Sequence, residues 1–309
     1  MKDVFTFSDL QNWSTVTAGI EPPVRLSVFG DPVAHSASPP MHNAALEKCG
    51  IAARYGRLHI RPEELREALR LLVRNDFIGT NLTIPHKKAA LPLMDEVDEH
   101  ALKMGGVNTV VIDGGKLVGF NTDGPGIVRA IHADFGVDVR DLRVLILGAG
   151  GGAGRAIAVQ CAIEGCERLV LVNRTFEKAR DLAAELQPYF KEPRVLGPVA
   201  RLEAVPWQDD VLRFQIQHTD LVINASSVGL QHGDPSPLPA TLLQPHLMVC
   251  DTIYTAAKTK LQHAAAEAGA RNANGLSMLL HQGALSFGIW FDREAPLDAM
   301  RAALLARTS

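Results

Sequence analysis

The sequence has little sulfur, no excess charge of either sign and no long apolar run, and each shortage narrows what the chain can be. Four cysteines among 309 residues, at positions 49, 161, 166 and 250, are too few and too scattered to staple such a length, and no two form a Cys-x-x-Cys pair. They read as reduced thiols. Thirty-one Lys and Arg against thirty-four Asp and Glu leave a formal charge of −3, so no positive field favours nucleic acid or an anionic membrane. A small-molecule partner is expected, with no nucleic acid and no membrane. The stretch with the most membranous look, 144–163, is broken by five glycines and Arg155, which suit a turn better than a span. The opening MKDVFTFSDLQNWSTVT is polar and acidic and has no continuous apolar core, unlike a secretory or transit peptide, and a cytoplasmic location is expected. Low-complexity repeats and charge runs are missing as well.

What is present is ordinary globular composition, 47% hydrophobic and 21% charged, with a length that favours two domains at roughly 150 residues each. Apolar runs of strand length alternate with segments of helical period, the pattern of an α/β protein, for which a parallel sheet is the natural outcome. Strands are expected at Arg25–Gly30, Tyr55–Ile60 and Phe77–Thr83, with a helix from Pro39 to Cys49 closed by Gly50. Pro62 is expected to open a second helix at N1, where its missing N–H costs nothing. Arg143–Leu147 starts a further series: a buried strand, the run GAGGGAGRAIAVQCAIEG, then LVLVN, one βαβ unit of crossover length. DLVINAS and LMVCDTIY continue it, and HGDPSPLP at 232–239 reads as a surface loop. The leader, residues 1–23, carries Phe5, Phe7, Leu10 and Trp13 and is expected to pack on its own domain.

The sharpest local signal is the turn of Gly148, Ala149, Gly150, Gly151 and Gly152 between strand and helix. Glycine there lets the backbone turn sharply and approach a pyrophosphate held at the helix N-terminus. An NAD site places an acid near the end of the next strand for the ribose 2′-hydroxyl; here Asn173, Arg174 and Thr175 stand instead, with no acid until Glu177. A guanidinium pairs with a 2′-phosphate that a carboxylate would repel, so NADP is the expected cofactor. The first half holds four packets of polar residues: His35, Ser36, Ser38 and Pro39; Asn81, Thr83, Pro85 and Lys87; Asn108 and Thr109; Asn121, Thr122 and Asp123. Several follow strand-like runs, where an α/β sheet opens its crevice. Hydroxyls and amides suit a polyhydroxylated ligand, and one lysine with one aspartate can serve as an acid/base pair. Ser and Asn also cap helices and turns, the plainer reading of any single packet. His35, His42 and His86 share no helical face and lack accompanying carboxylates, so no metal is expected. Cys161 and Cys166 read as core.

In this order the packets resemble the shikimate dehydrogenase family, which includes the quinate/shikimate dehydrogenases. FGDPVAHSASPPMHNAAL, GTNLTIPHK, GGVNTVV and GFNTDGPG are similar to its substrate segments, and GAGGGAGRA, VNRT, INASSVGL, DTIYTAAKT and GLSMLLHQGA to its later ones. The resemblance covers about Arg25 to Trp290. It implies an α/β fold of two domains, an open α/β substrate domain and a Rossmann-type doubly wound NADP-binding domain with the cleft between them. The substrate domain would be discontinuous, 1–122 plus 275–309, around an NADP domain of 123–274. By the same resemblance Ser36, Ser38 and Tyr254 would bind the substrate carboxylate, Thr83, Asn108 and Gln282 the ring hydroxyls, and Lys87 and Asp123 would form the catalytic pair, Asp123 also touching substrate. The cofactor would be held by the glycine turn, by Asn173, Arg174, Thr175 and Lys178, and by Thr252 and Gly275. The sequence departs from common family forms in a glycine turn one residue longer, in Thr-Ala-Ala after Tyr254 where many relatives carry proline, and in the small Thr252.

The function expected is reversible NADP-dependent reduction of 3-dehydroshikimate to shikimate, by a monomer or homodimer. Two alternatives are a quinate/shikimate dehydrogenase using NAD or NADP, and a non-catalytic NADP-binding sensor. Intact Lys87 and Asp123 argue against the sensor, which needs no acid/base pair.

Overall fold

The computed structural model describes residues 2–191, 199–231, 233–254 and 257–308. The chain forms two units, Met1–Thr122 with Gln282–Ser309, and Asp123–His281. The return to the first unit comes at Gln282 rather than at 275, because the helix that starts at Gly275 runs unbroken to Phe291 and its first turns belong to the second unit.

The first unit contains β1 (Phe5–Thr6), α1 (Phe7–Gln11), α2 (Trp13–Val16), β2 (Val24–Gly30), α3 (Ser38–Lys48), β3 (Arg54–His59), α4 (Leu65–Arg74), β4 (Gly79–Leu82), α5 (His86–Ala90), β5 (Glu96–Val97), α6 (Glu99–Met104), β6 (Thr109–Asp113) and β7 (Lys116–Phe120). Its seven-stranded sheet has the order β1-β3-β2-β4-β6-β7-β5. The expected parallel pairing holds from β1 to β4. It fails at β6, which is antiparallel to both β4 and β7. Gly114 and Gly115 join β6 to β7 with φ of 55° and 83°, and a two-residue loop with both φ positive is the tight hairpin turn that glycine pairs favour. The helix expected from Pro62 begins as a 3₁₀ turn, Pro62–Glu64, with the Arg61 N–H donating to Glu64 at 2.8 Å. Of the five buried residues of α4, Leu65, Ala68, Leu69 and Leu72 fall at i, i+3, i+4 and i+7, one face of the helix, with Leu71 beside it. The leader packs on this unit as expected: β1 pairs with β3, and Phe5, Leu10 and Trp13 join the core of Phe29, Leu58, Leu69 and Phe77.

The second unit contains α7 (Asp123–Phe135), β8 (Arg143–Leu147), α8 (Gly152–Glu164), β9 (Arg168–Val172), α9 (Phe176–Leu186), β10 (Leu202–Val205), α10 (Asp209–Ile216), β11 (Leu221–Asn224), β12 (Met248–Asp251), α11 (Lys260–Glu267) and β13 (Arg271–Ala273). All six strands are parallel, in the order β10-β9-β8-β11-β12-β13. This is the doubly wound order, whose direction reverses between β8 and β11, the place where such sheets take a ligand. Val144 to Leu147, Leu169 to Val172 and Leu221 to Ile223 are fully buried, which explains their continuous rather than alternating apolar character. The segment expected as a surface loop is irregular over 233–239 but buries Pro237 and Leu238; His232 lies outside the described residues. The chain closes with α12 (Gly275–Phe291) and α13 (Leu297–Thr308). No helix among the described residues is long and apolar enough to cross a membrane.

Candidate active site

The expected site residues fall into two sets, one in each unit. In the first unit, β4 delivers Asn81 and Thr83 at its end, and the chain then passes a cis Ile84–Pro85 bond into α5, which carries Lys87. Thr83 fits because Gly30 has no side chain: a Cβ there would lie 2.6 Å from the Thr83 methyl. Lys87, half-buried, has its carbonyl fixed by the Val107 N–H at 2.9 Å. Gly106 packs against that same carbonyl, where a Cβ would approach to 3.3 Å.

Next to Val107, Asn108 is 2% exposed and bonds to neighbours in the unit through both of its side-chain polar atoms. Its Nδ2 donates to Thr122 Oγ1 at 2.9 Å and Gln282 Oε1 at 3.3 Å. Its Oδ1 accepts from the Thr122 N–H at 2.8 Å and Thr109 Oγ1 at 2.9 Å. Behind it, Asn81 Nδ2 donates at 3.1 Å each to the Asn108 carbonyl, Thr109 Oγ1 and Ser286 Oγ, while Asn81 Oδ1 accepts from the Tyr55 hydroxyl at 2.7 Å. A buried network of this kind is costly unless satisfied throughout, and when satisfied it holds its members in one arrangement. Gln282 enters it from α12, which is seated by the Trp290 indole N–H on the Val110 carbonyl at 3.0 Å, in space that Gly79 leaves open. Ser286 and Tyr55 were not expected in this network. Ser286 had a signal, since it lies one turn beyond Gln282 on the same helix face; Tyr55, inside a strand-like run, had none.

Ser36 and Ser38 stand at the start of α3. Ser36 Oγ accepts from the Ser38 N–H at 3.3 Å, and the Ser36 carbonyl accepts from Arg57 Nε and Nη2 at 3.1 and 2.8 Å.

In the second unit, buried Asp123 opens α7 directly after Thr122. Gly148 turns the chain at φ +85°, with Ser226 where its Cβ would stand, and a Cβ on Gly154 would strike the Gly148 carbonyl. Gly151 and Gly152 are exposed, and a Cβ on Gly152 would meet nothing within 4 Å. The first helical bond of α8 is donated by Arg155 to Gly151 at 2.8 Å, so the N–H groups of its first three residues, 152–154, have no intrahelical acceptor and are available to a phosphate. Asn173 braces this turn: its Oδ1 accepts from the Gly150 N–H at 3.1 Å and its Nδ2 donates to the Thr175 carbonyl at 2.8 Å. Arg174, Thr175 and Lys178 are exposed at the end of β9 and the start of α9, and Arg174 makes no ion pair among the described residues. An open helix N-terminus beside an exposed guanidinium fits a pyrophosphate and a 2′-phosphate.

At the end of β12, beside β11, Asp251 accepts from Asn224 Nδ2 at 3.0 Å, the Ile253 N–H at 3.1 Å and Thr259 Oγ1 at 2.7 Å. Burial pushes its carboxyl up despite these donors. Thr252 follows, its hydroxyl donating to the Asn224 carbonyl at 2.9 Å, and Gly275 packs so closely that a Cβ would collide with the Thr252 carbonyl. Tyr254 is half-buried; Thr255 and Ala256, read above as a departure from family form, lie outside the described residues.

Three family models match the chain: the shikimate dehydrogenase substrate binding domain at residues 28–110, shikimate / quinate 5-dehydrogenase at 130–232, and the shikimate 5′-dehydrogenase C-terminal domain at 275–305. A shikimate dehydrogenase (NADP(+)) of Methanopyrus kandleri is 39% identical over 91% of this chain and 94% of its own. The crystal structure of Thermus thermophilus shikimate 5-dehydrogenase with NADP(H) and shikimate is 37% identical, with a TM-score of 0.81 over 93% of this chain and all of that one. Quinate dehydrogenase of Corynebacterium glutamicum, solved with NAD, is 27% identical, with a TM-score of 0.78 over 92% and 99%. Segment order, the two sheets and these likenesses agree, and the chain belongs to the shikimate dehydrogenase family.

Proposed function

We propose that this chain catalyses the NADP-dependent, reversible reduction of 3-dehydroshikimate to shikimate. The relatives named as NADP(+) shikimate dehydrogenases support it, as does the relative solved with NADP(H) and shikimate. One observation carries the reading to this chain's own residues. The carbonyl of Lys87 is fixed by Val107, whose neighbour Asn108 is bonded to Thr122 and Gln282, so a proton-carrying lysine and partners for ring hydroxyls share one braced arrangement.

In this reading Ser36, Ser38 and Tyr254 take the carboxylate, and Thr83, Asn108 and Gln282 orient the ring. Lys87 gives a proton to the ketone oxygen as that oxygen gains charge, with Asp123 as the other member of the acid/base pair. In oxidation the hydroxyl proton leaves to Lys87. Bound NADPH supplies the hydride. Its phosphates fit the first turn of α8, and its 2′-phosphate fits Arg174, with Thr175 and Lys178 beside it. β9 is followed by Asn173, Arg174 and Thr175 with no carboxylate for a free ribose 2′-hydroxyl, which favours NADP over the NAD alternative.

Replacing Lys87 by Ala tests the assignment. On general acid/base magnitudes kcat falls about a hundredfold or more while the dissociation constant for shikimate stays within a few-fold. Unchanged kcat would remove Lys87 from the chemistry. Dinucleotide binding by the unaltered chain without turnover of shikimate would favour the sensor.

A further inference from the structure

We infer that Arg57 is a positioning residue for the carboxylate of the substrate. It acts by holding the Ser36 carbonyl and thereby the turn that carries Ser36 and Ser38. This rests on the proposed reading of those serines as carboxylate donors.

The start of α3 is poorly equipped to hold an anion by itself. A helix N-terminus ordinarily offers its first N–H groups, but Ser38 is followed by Pro39 and Pro40, which have none. The Ser38 N–H is already donated to Ser36 Oγ, and the preceding Ala37 supplies no side-chain cap. The hydroxyls and backbone of residues 36–38 must therefore do the work, and their geometry depends on how the turn is fixed.

Two ties from β3 fix it. The Asn43 side chain clamps Tyr55, donating to its carbonyl at 3.0 Å and accepting from its N–H at 2.8 Å, which seats the body of α3. Arg57, two residues on, reaches the turn itself, placing Nε and Nη2 on the single Ser36 carbonyl at 3.1 and 2.8 Å. The Ser36 carbonyl and the Ala37 N–H belong to one peptide, so a cationic fork on the oxygen also strengthens that N–H as a donor. An ammonium on a flexible stem supplies the charge without the fork. Arg57 also borders an open pocket of about 270 Å³ with Lys2, Asp3, Pro40 and Asn43, so shortening it enlarges an existing pocket rather than opening the core.

The test is steady-state kinetics of the full-length enzyme, unaltered and as Arg57→Ala, Arg57→Lys and Ser38→Ala. The substrates are shikimate and the corresponding cyclohexenetriol, which has hydrogen in place of the carboxylate. Arg57→Ala is expected to raise KM for shikimate about tenfold with kcat within twofold, the pattern of lost uniform binding. Arg57→Lys should fall between the two, and KM for the triol should be the same in all four proteins. If Ser38→Ala raises KM for shikimate and neither Arg57 variant does, the positioning role is wrong and the carboxylate reading stands. If Ser38→Ala also leaves KM unchanged, the carboxylate reading fails and the inference with it. A loss of kcat shared by both substrates would mark Arg57 as merely structural. Should Arg57→Ala not fold, Arg57→Lys decides: kinetics matching the unaltered enzyme overturn the inference, and a rise confined to shikimate supports it.

Discussion

His42, on α3, is fully buried, stacked on Tyr55 with centroids 4.5 Å apart and tilted against Trp290 at 5.3 Å. Neither ring nitrogen has a hydrogen-bond partner among the described residues. Burial pushes its pKa down to about 3 from an ordinary 6.5, so the folded ring stays neutral where the unfolded one takes a proton. The unfolded state then binds more protons below pH 6.5, and stability is lost progressively as pH falls from there toward 3. At pH 5 that loss is about 2 kcal/mol, from roughly one and a half pH units at 1.36 kcal/mol each. His42→Phe keeps an aromatic ring and removes the titration. Denaturant unfolding at pH 7 and pH 5 should show the unaltered protein losing about 2 kcal/mol more than the variant; equal losses would contradict a neutral buried His42. At this scale the sequence disclosed the polar residues that follow apolar runs, Thr83, Lys87 and Asn108 among them. It hid those that act through distant partners. Ser286 meets Asn81 across 205 positions, and no spacing rule spans such a gap.

Among the elements, the βαβ unit from Arg143 to Val172 was the most legible, because β8 and β9 are buried runs and the glycines between them have a geometric reason. Gly154 shows how tight that reason is. A methyl there would strike the backbone carbonyl of Gly148, which cannot swing aside as a flexible side chain could. Gly154→Ala is therefore expected to displace the first turn of α8 and raise KM for NADP about tenfold or more, on the 1–3 kcal/mol typical of overpacking, while KM for shikimate stays nearly constant. Titrating each substrate at saturation of the other checks this; equal rises in both constants would place the damage elsewhere. The hairpin of β6 and β7 was less legible. The sequence marks only the polar packets at its two ends, Asn108–Thr109 and Asn121–Asp123, while the Gly114–Gly115 turn between them is what makes the strands antiparallel. α4 itself opens one turn after Pro62, because proline suits a 3₁₀ start as well as an α-helical one.

For the whole molecule, length divides the chain in two but does not say that one part is interrupted by the other. Gln282 joins Asn108 and Thr122 in one network although 174 and 160 positions separate them, so the first unit is complete only once the last helices have folded. The leader is part of that unit too: β1 extends its sheet at β3 and Trp13 sits against Phe5 and Phe77 at 4.9 and 5.2 Å, as its apolar residues suggested. The proposed NADP-dependent turnover of shikimate draws on both units, the polar network of one and the glycine turn and Arg174 of the other. The most direct measurement is kcat/KM of the full-length enzyme for shikimate and for quinate, each with NADP and with NAD. The expected result is the highest value for shikimate with NADP, with NAD lower by about tenfold or more for want of a 2′-phosphate partner for Arg174. A higher value for quinate with NAD would contradict it.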